Sequence, residues 1–103
     1  MLHEIRINVF EIENCYGEKQ YRKILAILPQ RYRHWIETLY EEYGEDAVKA
    51  FANEHKYDVN DLQISKDTIR NDDRGYEQRI TIKSSEPFFV LCKTHGGLEI
   101  VWN

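Results

Sequence analysis

Residues 19–43, KQYRKILAILPQRYRHWIETLYEEY, decide how this chain is read, because their apolar residues recur every three or four positions and not every two. Tyr21, Ile24, Leu25 and Leu28 make one stripe, with Lys19, Arg22 and Lys23 off it, so a first helix is expected from about Tyr16 to Leu28. Pro29 ends that helix or opens the next, since proline is tolerated in a first turn and not in an interior. Tyr32, Trp35, Ile36, Leu39, Tyr40 and Tyr43 form a second, continuous stripe, and Gly44 stands where a C-terminal cap belongs. A third helix is expected at once, with Ala47, Val48, Phe51, Ala52 and His55 inward and Glu45 and Asp46 at its start.

Outside this block the period falls to two. Ile5, Ile7 and Val9 alternate with Arg6 and Asn8, the pattern of a strand with one buried face. Phe10 and Ile12 then take the opposite phase, which a bulge near Val9–Phe10 or a strand covered on both faces would produce. Beyond Tyr57, Leu62, Ile64 and Ile69 suggest a strand, and Asn71-Asp72-Asp73-Arg74-Gly75 is a dense turn signal. Tyr76, Gln78, Ile80 and Ile82 alternate with charged or polar neighbours. Ser84–Pro87 leads to an apolar run, Phe88–Lys93, and His95-Gly96-Gly97 turns the chain into Leu98–Trp102. The expected fold is α+β: an N-terminal strand, about three helices, then a C-terminal antiparallel meander of about four strands, with the helices packed on one face of the sheet. Trp35, Ile36, Leu39, Phe51, Ile80, Ile82, Val90 and Ile100 are expected to share one core.

The totals bound the function. A chain of 103 residues fits a single domain over 1–103, large enough to bury one core without staples. A net charge of −4 argues against a general nucleic-acid coat, which needs a positive field to displace counterions from phosphates. Two cysteines without CxxC spacing, Cys15 and Cys92, read as reduced thiols, and the charged N-terminus and lack of a long apolar run predict a cytoplasmic protein without a membrane span.

Catalytic and metal signatures are weak. Cys92 and His95 are spaced for a nucleophile and base, but no third orienting group accompanies them. His3, His34, His55 and His95 lack metal-binding spacing, Asp58, Asp61, Asp67, Asp72 and Asp73 fail the spacing of a calcium loop, and all five glycines sit in turns or caps. No enzyme activity, cofactor or metal is therefore expected.

Charge, by contrast, is sorted along the chain. Residues 17–34 carry Lys19, Arg22, Lys23, Arg31 and Arg33 against Glu18 alone, whereas residues 35–56 carry Glu37, Glu41, Glu42, Glu45, Asp46 and Glu54 against two lysines. The second helix thus has bases at its start and acids at its end, the reverse of what its dipole prefers, and breaches of local preference tend to mark working surfaces. Short acidic proteins that block nucleic-acid-handling enzymes, such as immunity proteins and phage anti-defence inhibitors, share this size and charge. By that analogy the leading expectation is a protein-binding inhibitor. Glu37, Glu41, Glu42, Glu45, Asp46, Asp72 and Asp73 would dock into a basic groove of another protein. The alternative is a nucleic-acid-binding accessory domain that uses Lys19, Arg22, Lys23, Arg31 and Arg33, interleaved with aromatic residues. A homo-oligomer formed through a strand edge or the aromatic helices is a further possibility.

Overall fold

The computed structural model describes residues 2–72 and 75–102, and among them two α-helices pack on a six-stranded antiparallel sheet in an α+β fold. The order is β1 (His3–Glu13), β2 (Lys19–Pro29), a 3-10 turn (Gln30–Tyr32), α1 (Arg33–Tyr43), α2 (Glu45–His55), a second 3-10 turn (Val59–Asp61), β3 (Gln63–Asp72), β4 (Gly75–Ser84), β5 (Phe88–Thr94) and β6 (Gly97–Trp102). In space the strands run β3-β4-β1-β2-β5-β6.

The expected first helix is a strand. Its three-and-four spacing has a physical origin in β2, which is covered on both faces from Ala26 to Pro29 and carries an irregularity between Ile24 and Ala26 where its pairing to β5 shifts by one residue. Before the shift Arg22 and Ile24 share a face; after it Ile27 takes that face and Ala26 and Leu28 take the other. One extra residue turns a period of two into a spacing of three, and the end of the strand, buried on both sides, has no polar face to reveal it. The helices are therefore two and not three, and the sheet gains a strand.

The C-terminal strands do not form a simple meander either. β3 pairs with β4 and β5 with β6, but the β1–β2 hairpin lies between β4 and β5. That hairpin is zipped only where Phe10–Glu13 meets Lys19–Arg22. Beyond it β1 follows β4 without interruption from His3 to Ile12, which removes the bulge near Val9–Phe10, one of the two readings of its phase change, and β2 follows β5. The sheet is thus two three-stranded halves hinged along a short strip. Ile5, Ile7, Val9, Ile80 and Ile82 of one half share a core cluster with Ile27, Phe88, Val90 and Cys92 of the other. No helix covers Ile5 or Ile7, yet both are buried, so the halves must close on each other; contact between β1 and β6 agrees. The backbone N–H of Tyr57 donates to the Ile27 carbonyl (2.8 Å) and ties the segment after α2 to β2.

The outer face of β2-β5-β6 carries the second cluster: Ala26, Leu28, Phe89 and Leu91 against Ile36 of α1 and Val48 and Ala52 of α2, with Leu39, Phe51, Leu98 and Ile100 at its margin. The single core expected from sequence is therefore two, one on each side of this half-sheet. Trp35 belongs to neither: it is 61% exposed and stacks on Phe51 of α2 with ring centres 6.3 Å apart. The two helices meet at Gly44, whose φ of 87° suits glycine and lets the chain reverse in one residue. Among the described residues no helix is long and apolar enough to cross a membrane.

Candidate protein-docking site

At about 100° per residue, the positions of α1 sort into three sectors around the buried Ile36. Arg33, Glu37 and Tyr40 lie toward β6; Trp35 and Glu42 lie toward α2; His34, Thr38 and Glu41 point outward. Two contacts fix the β6 side. The Arg33 guanidinium sits 3.7 Å from the centre of the Trp102 ring, and at the other end a Cβ on Gly97 would come within 2.8 Å of the Tyr40 hydroxyl. α1 therefore runs antiparallel to β6 and lies beside it. Between them is a groove of about 220 Å³, lined by Ile36, Glu37, Tyr40, Leu91, Leu98 and Ile100. Gly97 has φ of 124°, and any side chain there would both strain the turn and strike Tyr40.

The acidic residues divide by environment. Glu37, Glu41, Glu42 and Asp46 are exposed, and among the described residues they make no ion pair or side-chain hydrogen bond. Glu45 is different: it bonds to Lys93 of β5 and to Lys49 one turn along α2 (3.0 Å). The Lys93 bond, then that to Lys49, holds its carboxyl below the usual glutamate range, and the same contact raises the Lys93 ammonium. Glu45 therefore ties α2 to the sheet and is not part of the open acidic surface. Asp72 ends β3 at the opposite edge of the sheet from α1, and Asp73 lies outside the described residues.

The basic residues are dispersed by the strand that replaces the expected helix. Lys19, Tyr21 and Lys23 alternate onto one face of β2, and Arg22 faces the other, where it bonds Glu99 (3.0 Å) and the Asn8 carbonyl (3.2 Å) and lies over the Phe10 ring. Arg31 stacks on Tyr32 at 4.8 Å, in the 3-10 turn past the end of β2 and roughly 20 Å of strand or more beyond Lys23. Arg33 at the start of α1 is accounted for by Trp102: the unfavourable end of the dipole is offset by a cation over an indole face. Among the described residues no packing contact of that kind accounts for Glu41 and Glu42 at the other end.

Cys92 and His95 do not form a reactive pair. Cys92 is fully buried in the inner cluster, its thiol is pushed up to about 12 by burial and then by Glu99, and His95 is exposed with its ring against Tyr21. A thiol held that high is no nucleophile near neutral pH. Among the described residues no group of three or more His, Cys, Asp and Glu is placed to hold a metal ion. His55 packs against Phe51 (4.4 Å) and Tyr32 (4.8 Å) at the edge of the helical core. The groove itself escaped the sequence reading, because a paired Gly97 and Tyr40 leave no local signal; the Gly96-Gly97 doublet indicated only a turn. Comparison with protein-family models, with curated proteins and with solved structures gives no match for this chain.

Proposed function

We propose that this chain works by binding another protein, as a small acidic inhibitor of the immunity-protein or phage anti-defence type that blocks a basic, nucleic-acid-handling partner. The observation that carries this reading is the surface of α1 and the start of α2. Among the described residues Glu37, Glu41, Glu42 and Asp46 are exposed and unpaired there, and the same two helix segments leave two aromatic residues open, Trp35 at 61% and Tyr43 at 71% exposure. Exposed aromatic residues act as anchors in interfaces, and a carboxylate rim supplies attraction and register toward a basic groove. Acids at the C-terminal end of a helix cost local stability, so their retention is understandable as a requirement of binding.

The alternative, nucleic-acid binding by the basic residues, rests on Lys19, Tyr21 and Lys23 sharing one face of β2, with the Lys23 ammonium over the Tyr21 ring at 5.4 Å. Two lysines and one ring on a chain of net charge −4 make a weaker electrostatic footprint than the α1 surface. Affinity capture at low and high salt, with and without nuclease, separates the two. A nuclease-resistant partner that is lost at high salt and lost on reversing Glu41 and Glu42 to lysine supports the acidic reading. Loss on nuclease treatment, with indifference to those substitutions, contradicts it.

A further inference from the structure

We infer that β6 is a receptor edge: an extended segment of the partner, alternating apolar and basic residues, adds to it as a seventh strand and lays its apolar side chains in the groove beneath α1. This rests on the acidic docking reading and specifies how the partner engages it.

The two edges of the sheet are treated differently. β3 exposes every residue from Ser65 to Arg70, including Lys66, Asp67 and Arg70, and its pairing with β4 is broken by an irregularity between Thr68 and Arg70. Charges and bulges are the usual protection against unwanted strand addition. β6 has neither a bulge nor an outward charge. Leu98, Glu99, Ile100, Val101 and Trp102 pair with β5 in unbroken register, all but Trp102 are half-buried, and the single charge, Glu99, is turned to the inner face and engaged by Arg22. Its outward backbone groups have no hydrogen-bonded strand partner among the described residues. An unguarded apolar edge beside an apolar groove is the geometry of strand addition, in which backbone pairing supplies affinity and alternate side chains supply specificity.

Charge selects the occupant. The α1 wall of the groove carries Glu37, with the unpaired Glu41 one turn along, and no base except Arg33, which is already stacked on Trp102. A basic segment complements this wall. A second copy of the chain does not: antiparallel pairing of two β6 strands sets two such walls across one joint groove, carboxylates facing carboxylates, on a chain already at −4.

The probe is an acetylated, amidated octapeptide of alternating Val and Lys, compared with a Val/Glu peptide and with a Val/Lys peptide N-methylated at alternate residues to remove the ladder donors of one edge. Binding is followed by amide shifts and hydrogen exchange in the intact protein. The expected result is that the Val/Lys peptide slows exchange of Leu98–Trp102 amides by about tenfold or more and leaves β3 unchanged, while the other two peptides do neither. Glu37→Lys, an exposed change that leaves the fold intact, should weaken the Val/Lys peptide by about fivefold or more. If the N-methylated peptide binds as well as its parent, strand addition is overturned and the acidic docking surface stands. If the Val/Lys peptide fails to bind at millimolar concentration, or protects β3, strand addition is again overturned, and the capture experiment above decides the acidic reading independently. A sedimentation mass twice that of the chain, with β6 already protected in the free protein, would show that a second copy fills the edge and would also overturn the inference.

Discussion

At the residue scale, burial separates side chains that look alike in sequence. Leu28 and Trp35 both sit on apolar stripes, yet Leu28 is fully buried beneath the helices and Trp35 is 61% exposed. Leu28→Ala should therefore lose about 2–5 kcal/mol through lost burial and a cavity, and Trp35→Ala within about 1 kcal/mol, both read from urea midpoints. Equal losses would mean that α1 is rotated relative to the sheet. The cysteines part in the same way. Cys15 is exposed and Cys92 is buried with its thiol raised, so alkylation without reductant should label one cysteine in the native protein and both after unfolding, as intact mass would record. Ile36, Val48 and Ala52 were legible as inward positions because each lies at the centre of a long apolar stripe. Trp35 was not, because it lies at a stripe's margin, where only the position of α2 decides whether it is covered.

At the element scale, α1, α2 and β4 were legible because each has one dominant period, and β5 and β6 because a short apolar run and its continuation flank a clear stop at Gly97, as Gly44 stops α1. β2 was not. A strand shifted at Leu25 and covered on both faces beyond it has the spacing of a helix, and only its partner strand distinguishes the two. The contact between Glu45 and Lys93, which clips α2 to β5, gives this level a measurable signature. Glu45 is more acidic in the folded chain, so its contribution is present above the unfolded glutamate value of about 4.3 and is lost as pH falls through the lowered folded value. Lys93 is more basic in the folded chain, so its contribution is complete below about 10.4 and is lost as pH rises through the raised value. The stability difference between the parent and Glu45→Gln should thus be flat across neutral pH and shrink at both extremes. A difference that persists at strongly acidic pH would show that Glu45 acts by something other than its charge.

At the scale of the whole molecule, strand order was the part hidden from the sequence. Nothing local tells β4 and β5 to part and admit the β1–β2 hairpin; that follows from long-range pairing of apolar faces, Ile5 and Ile7 with Ile82 and Ile80, and Ile27 with Val90. The split sheet puts β6 at an edge with α1 beside it, and so brings Glu37 and Tyr40 of α1 over an edge strand. The acids of α1 remain exposed on one helix, whereas the basic residues of β2 are dispersed over the two faces of a strand. The most direct measurement is the association rate with the captured partner as a function of ionic strength, for the parent, for Glu41→Lys with Glu42→Lys, and for Lys19→Glu with Lys23→Glu. The acidic pair reversed should associate more slowly and lose its salt dependence, with dissociation changed less, whereas the lysine pair reversed should behave like the parent. If the lysine variant alone loses binding, or the acidic variant associates like the parent at every salt concentration, the α1 surface is not where the partner docks.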